Sequence, residues 1–424
     1  MTDTVMWLAG IDWASETHQV CLLDIDGKLV GERAFPHGGA GLAALCDWLL
    51  EKTGATADNI AIAIEVPHGP IVETLLERGF VVYAINPKQV DRFRDRFSMA
   101  GAKDDRFDAH VLGDALRTDR HRLRRLQPTD PTVVELREWS RMGDELKHEQ
   151  TRLANRIRDQ LWRYYPQALK LSANIAANWF LDLWELAPTP ARAVEVSESA
   201  VAEVLKTHRV RRLDAAEALA ILRETPITVA PGTTEAATGH IRMLAARLKL
   251  VNDQIREADR QLDVLCDRLN EVKNGVSPEP NDKSDVEILK SCPGVGRIIV
   301  STLISEAFDL FHRRDYDALR PLCGVAPVTK RSGKCKVVLM RHACHNRLRN
   351  AVYHWTRVAI QHDEVSRERY AALRQRGKTH GRAIRSVADR LLGVACSMLK
   401  NRTLFDSHRH TKRLGAAVTQ PVTT

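Results

Sequence analysis

The sequence predicts an α/β N-terminal domain followed by a mainly α-helical remainder, and three observations carry that expectation. Short runs of β-prone residues alternate with helical repeats up to Pro87. Two long amphipathic stretches, 133–166 and 240–272, then keep apolar residues three and four apart. Farther on, ILKSCPGVGRIIVSTLISEA reads as helix, tight turn, helix, the pattern of a helix-hairpin-helix.

The first strand lies in WLAGIDWAS and brings Asp12 to its end. HQVCLLDIDG alternates toward Asp26-Gly27, a hairpin turn signal, and KLVGERAF continues as a third strand, so the three form an antiparallel meander. GLAALCDWLLEK repeats Leu at helical spacing, and IAIAIEV is a short strand ending at Glu65. PIVETLLERG is a second helix closed by Gly79, and FVVYAINP is a fifth strand broken by Pro87. The order βββαβαβ, then helices, is that of the ribonuclease H-like (RuvC-like) class.

Four acids fall where such a fold carries ligands. Asp12 ends the first strand, Glu65 ends the fourth, and Asp105 and Asp108 stand three apart in KDDRFDAHVLGDAL, on one face of a helix. Carboxylate oxygens suit Mg²⁺ or Mn²⁺, and a pair of such ions clamps the attacking and leaving oxygens of a phosphoryl transfer. Taken singly, an Asp on a helix is a solvated surface group and a Glu at a strand end marks the sheet rim; position and fold order together favour a cluster. Asp104 is the ambiguous neighbour, because a one-residue shift of the helix would bring it forward in place of Asp105.

In these blocks the chain resembles the DEDD transposases of the insertion-sequence 110 and 1111 family, the recombinases associated with bridge RNAs. GIDWA, the Glu65 strand and KDDRFDA carry the likeness, the last corresponding to a commoner KTDRIDA, with Asp104 where that pattern has Thr. The resemblance implies that Asp12, Glu65, Asp105 and Asp108 are catalytic metal ligands. It also reads LRPLCGVAPVTKRSGKCKVV as a basic loop with Ser332 as nucleophile; on local sequence alone a Ser-Gly in such a loop is an ordinary turn. Around Ser332 and Gly333, the cations Lys330, Arg331, Lys334 and Lys336 would hold the scissile phosphate and stabilise developing charge. Gly294 and Gly296 of the PGVG turn would offer backbone N–H groups to phosphates, with Arg341 and Arg347 of the next basic segment as further contacts. One departure stands there: RHACHNRLRN places Cys344 and His345 before Asn346, where the family commonly has Arg-x-Gly-Asn.

The chain has 424 residues, 44% of them hydrophobic, enough for separate cores. A net charge of +9 and a pI near 9.2 favour a polyanionic partner, because the cations cluster in RTDRHRLRRL, KTHRVRRL, TKRSGKCK and RQRGKTHGRAIR. Few aromatics accompany them, which favours backbone recognition of duplexes over stacking on bases. Eight dispersed cysteines, with no signal peptide or membrane-length run, point to a reducing, cytoplasmic setting without membrane association. A zinc site from Cys335, His342, Cys344 and His345 is disfavoured by compressed spacing and the lack of a CxxC pair.

The domains expected are a ribonuclease H-like DEDD catalytic domain over 1–128, a helical region over 129–274 with an insertion at about 181–234, a C-terminal transposase domain over 284–405 and a disordered basic tail over 406–424. The two long helices are expected to pair as an antiparallel coiled coil rather than an ordinary bundle, because their charge density leaves a narrow apolar stripe. NGVSPEPNDKSD is the clearest linker. The resemblance implies a DNA transposase that cuts and rejoins donor and target DNA through a serine–DNA linkage. It further implies a bridge RNA that reads sequence and a homo-oligomer, dimer or tetramer, with the acids of one chain facing the Ser332 loop of another. A site-specific invertase of the same family and a Holliday-junction resolvase-like metal-dependent nuclease are the alternatives.

Overall fold

A computed structural model describes residues 6–65, 68–97, 104–127, 130–271, 283–333 and 335–407, with Lys336 described by its backbone alone. Lys334, most of the 274–285 linker and the tail from 408 lie outside the described residues. The chain divides into two compact units, 1–130 and 131–424.

The first unit opens with β1 (Trp7–Asp12), β2 (Thr17–Asp24) and β3 (Leu29–Pro36), the antiparallel meander read from the sequence. Its β2–β3 turn closes as Asp26-Gly27 implies: Gly27 takes φ +89°, and Asp24 Oδ1 accepts from the N–H groups of Asp26 at 3.0 Å and Lys28 at 2.8 Å. Next come α1 (Gly39–Thr53), β4 (Ile60–Ile64), α2 (Pro70–Glu77), β5 (Val81–Ala84), α3 (Pro87–Arg94), α4 (Asp105–Asp119) and β6 (Arg124–Arg125). The sheet order is β3-β2-β1-β4-β5-β6, with β4 parallel to both β1 and β5. Every residue of β4 is buried, as expected of a central strand covered on both faces.

Those two faces differ in side-chain size. Toward α1 and α2 the sheet presents Ile11, Val20, Leu22, Ile62 and Ile64. Toward α4 the larger Leu8, Leu23, Val81 and Tyr83 surround Gly10, Ala61 and Ala63, and over these small residues the helix backbone sinks onto the strands. A Cβ on Gly10 would lie 1.9 Å from the Ala109 carbonyl oxygen, and any larger residue there forces α4 away.

Two elements depart from the sequence reading. Pro87 does follow a strand, but it is also the first residue of α3, capped by Asn86, whose Oδ1 accepts from Lys88 N at 3.0 Å. Beyond α4 the two-residue β6 adds an antiparallel edge strand to β5, with Arg124 and Arg125 both exposed. Charged side chains there discourage further strand pairing.

The second unit is built on α5 (Pro131–Tyr164) and α10 (Thr233–Glu271). Buried α10 positions 241, 244, 248, 251, 258, 262 and 265 follow the three-and-four spacing of a coiled-coil seam. Glu135 pairs with Arg268 at 3.3 Å and Gln150 Nε2 donates to Asn252 at 2.7 Å, a register that makes the helices antiparallel. The pair is embedded at both ends. Its hairpin end buries Leu161, Ile241 and Leu248 against α6 (Asn178–Leu186), α7 (Pro190–Glu195), α8 (Glu198–Thr207) and α9 (Ala215–Leu222), so the 181–234 segment is a helical cap sharing that core.

At the other end Leu136, Leu262 and Leu265 join the core of α11 (Asp285–Lys290), α12 (Arg297–Glu306), α13 (Phe308–His312) and α14 (Tyr316–Leu322). The hairpin β7 (Val328–Ser332) and β8 (Cys335–Leu339) follows, then α15 (Asn346–His362), α16 (Glu364–Gln375) and α17 (His380–Asn401). Among the described residues no helix is long and apolar enough to cross a membrane.

Candidate active site

Strand alternation and helix direction bring the four acids to one end of the first unit. Leu8 and Gly10 face α4, so Asp12, two residues on, shares that side. On β4, Ala61 and Ala63 face α4, and the same alternation carries Glu65 there. Ile11 pairs with Ile64 in the parallel register, so Asp12 and Glu65 each directly follow a paired position on neighbouring strands. Arg117, near the end of α4, lies against Gly27 in the β2–β3 turn, which adjoins the start of β1 because Asp24 pairs with Trp7, whereas Ala109 lies against Gly10; α4 therefore runs antiparallel to β1. From Gly10 to Asp12 the strand advances about 7 Å, and from Ala109 back to Asp105 the helix retreats about 6 Å. The first turn of α4 thus comes level with Asp12.

Within that turn the acids have distinct environments. Asp104 is the N-cap, its Oδ1 accepting from Arg106 N at 3.2 Å, so it serves its own helix. Asp105 is exposed. Asp108 is 4% exposed and ion-paired: Arg94 at the end of α3 donates from Nε to Asp108 Oδ1 at 2.7 Å. Sequence reasoning missed Arg94, since nothing local ties it to a residue fourteen positions away. All four acids offer the hard oxygen donors that Mg²⁺ and Mn²⁺ prefer, so they fit in kind. Among the described residues, however, no three His, Cys, Asp or Glu side chains are drawn together tightly enough to hold a metal. The same holds for the Cys335–His345 segment considered for zinc.

In the second unit the expected Ser332 loop is a two-stranded hairpin. Ser332 and Cys335 form the closing pair, and Gly333 sits in the turn with φ +54°. Ser332, Lys330 and Arg331 are exposed, and among the described residues Ser332 Oγ has no hydrogen-bond partner. Arg341 braces the base of the hairpin, its Nε donating to the Ala326 carbonyl at 3.2 Å.

Arg347, expected to meet phosphate, is committed to the interior. It donates to Asp144 at 2.9 Å and Ser140 Oγ at 2.9 Å and also pairs with Glu306. Glu306 has a side chain only 3% exposed; it also accepts from Arg141 at 3.0 and 3.1 Å and lies 3.4 Å from His345 Nε2. Burial works against its charge, but the Arg141 hydrogen bonds and the surrounding cations hold its carboxyl below the usual range. The stability it contributes is present above the ordinary carboxylate pKa and is lost as pH falls through the lowered one. Glu306→Gln is expected to cost about 2 kcal/mol by leaving two partly buried arginines, Arg141 and Arg347, short of a counter-charge. Denaturant melts at neutral pH measure this, and the deficit should shrink toward acid pH.

The helix-hairpin-helix reading corresponds to α11, the PGVG turn and α12. Gly294 has φ +84°, and a Cβ there would lie 2.9 Å from Ala359 N and 3.0 Å from the Trp355 carbonyl, so this glycine is needed for packing on α15. Gly296 is different. It precedes α12 without a side-chain cap and faces open space, in a groove also lined by Lys290, Ser291 and Arg297.

A carboxylate-bearing α/β unit and a mainly helical unit with a basic hairpin suit a protein that handles nucleic acid, and the comparisons with known proteins give the class, that of the transposases. A DEDD transposase model matches residues 9–166, and one described as transposase IS116/IS110/IS902 family matches 286–371. A Sinorhizobium fredii protein named as transposase y4uE is 57% identical over 51% of this chain and 60% of its own length. A Streptomyces coelicolor protein named for the transposase of the IS117 mini-circle is 30% identical over 96% of this chain and 97% of its own. Another from Streptomyces coelicolor, a 43.6 kDa protein of insertion element IS110, is 26% identical over 96% and 97%. The chain belongs to the IS116/IS110/IS902 family of transposases.

Proposed function

We propose that this transposase cuts and rejoins DNA through a covalent link to Ser332, with Asp12, Glu65, Asp105 and Asp108 holding divalent metal. The observation that supports the reading is that the β1 end, the β4 end and the first turn of α4, the elements carrying the four acids, lie at the same end of the sheet. Mg²⁺ or Mn²⁺ bound there would neutralise charge on the attacking and leaving oxygens. Ser332 Oγ forms a bond to phosphorus as the bond to the leaving sugar oxygen breaks. The serine proton is lost to a base, and the leaving oxygen gains one. Rejoining reverses the exchange: a sugar hydroxyl attacks the serine phosphodiester and Ser332 recovers its proton. Lys330 and Arg331 offer fixed positive charge to the phosphate, a stabilisation that grows as charge develops. Gly296, with its uncapped helix start, suits a backbone phosphate.

Incubating the protein with labelled element-end DNA and Mg²⁺, then resolving it under denaturing conditions, tests this reading. A labelled band at protein size supports the serine linkage. Cut DNA with no adduct favours a resolvase-like nuclease, and no cutting in any divalent metal removes the enzyme reading. An invertase of the same family would share the adduct and differ only in the flanking sequence it recombines.

A bridge RNA is the proposed source of sequence recognition. It rests on the family resemblance and on basic clusters spread over both units, more than one duplex contact requires. Purified protein is expected to carry one discrete structured RNA. Sequence-specific recombination that survives complete RNase digestion removes the guide from the scheme. Two DNA partners and four exchanged strands call for an even-numbered homo-oligomer, dimer or tetramer.

A further inference from the structure

The geometry points to Arg94 as a built-in counter-cation of the carboxylate site, one that pairs with Asp108 and competes with a divalent cation for it. This rests on the reading of Asp108 as a metal ligand and adds a residue to it.

Asp108 is the most enclosed of the four acids, with a side chain 6% exposed. A buried carboxylate without a partner is costly, and among the described residues Arg94 is the cation that pairs with it. Arg94 meets that need from two directions: Nε and the terminal nitrogen Nη2 both lie 2.7 Å from Asp108 Oδ1. Its other terminal nitrogen, Nη1, donates to Asp91 Oδ1 at 3.0 Å, one turn back on α3.

Both Arg94 contacts fall on Oδ1, so a metal taking that oxygen displaces the guanidinium, and one taking Oδ2 binds against its positive charge. Asp91, with a side chain 67% exposed, supplies a second resting place toward solvent. Release of Asp108 then needs a swing of the Arg94 side chain about the Asp91 contact. Competition of this kind lowers apparent metal affinity by the fraction of time the carboxylate is taken.

The test is a Mn²⁺ titration of the full chain without DNA, following the free-ion resonance, for wild type, Arg94→Met, Arg94→Lys and Asp108→Asn. Removing the competitor should tighten Mn²⁺ binding about tenfold in Arg94→Met, the share expected of a charge-assisted hydrogen bond at a partly exposed arginine. Arg94→Lys, which loses the two-nitrogen grip but keeps a charge for folding, should tighten it less. Asp108→Asn should weaken it. Unchanged or weaker binding in Arg94→Met, with weakening in Asp108→Asn, overturns the role of Arg94 and leaves Asp108 as a ligand. Wild-type binding in Asp108→Asn overturns the ligand assignment and the Arg94 role with it. If Arg94→Met fails to fold, Arg94→Lys decides: binding no tighter than wild type rejects the proposal.

Discussion

Asp12→Asn and Glu65→Gln are each expected to reduce Mg²⁺-dependent strand cleavage on the order of a thousandfold while leaving the thermal melt of the protein near wild type. The rate loss follows from deleting a charged ligand at a phosphoryl-transfer site, where positioned charge is the largest contribution to catalysis. The fold should survive because both acids are only half-buried and sit at or just past strand ends, outside the apolar layers that bind α1, α2 and α4 to the sheet. Asp105→Ala should resemble them. Asp104→Ala should not: its side chain caps α4, so its loss costs about 1 kcal/mol of helix stability and little rate. Single-turnover cleavage in Mg²⁺ across the set, with circular dichroism melts, separates the two kinds of effect. Near-wild-type cleavage by Asp105→Ala combined with loss in Asp104→Ala would show that the helix presents the other acid. Asp108→Asn is a less clean probe, because it also strands Arg94.

Much of the first unit was legible in the sequence because its signals are local. The meander announces itself through alternation and Asp26-Gly27, and β4 through five consecutive small or branched apolar residues. Punctuation misled where one residue has two uses: Pro87 was read as the end of a strand, yet the fixed φ that bars it from a strand interior also suits the first position of α3. The two-residue β6 has too little sequence to carry a pattern, and its Arg124 and Arg125 look like any basic stretch.

Site residues divide the same way. Asp12 and Glu65 could be placed by counting along strands, and Asp105 and Asp108 by counting along a helix. Arg94 and Arg347 could not be judged, since an exposed phosphate contact and an internal ion pair look alike until tertiary structure brings Asp108 to one and Glu306 to the other. The Ser332 segment was read as a loop because its charges hide the β-prone Val328-Thr329 and Val337-Val338 pairs on either side of the turn. A glycine such as Gly294 carries similar ambiguity, since close approach to α15 and close approach to a phosphate make the same demand on the chain.

Ser332→Ala is expected to abolish the protein–DNA adduct outright, with DNA binding unchanged within about twofold, since a hairpin-tip hydroxyl contributes little to affinity next to Lys330 and Arg331. Placement at the tip makes the substitution structurally mild: the side chain is exposed, and among the described residues it has no hydrogen bond to lose. The same exposure has a chemical consequence. Among the described residues no base contacts Ser332, so its activation is expected to come with substrate and metal. Ser332→Cys then becomes informative, because a thiol ionises far more readily than an alcohol and depends less on a base. It should form a slow adduct whose rate rises with pH toward the thiol range, whereas wild-type capture should follow metal concentration. Cys335 stands opposite and is itself exposed, so each comparison is repeated in a Cys335→Ser background to keep its thiol from supplying the signal. Labelled DNA retained on Ser332→Ala, Cys335→Ser protein after denaturation would move the nucleophile elsewhere in the chain.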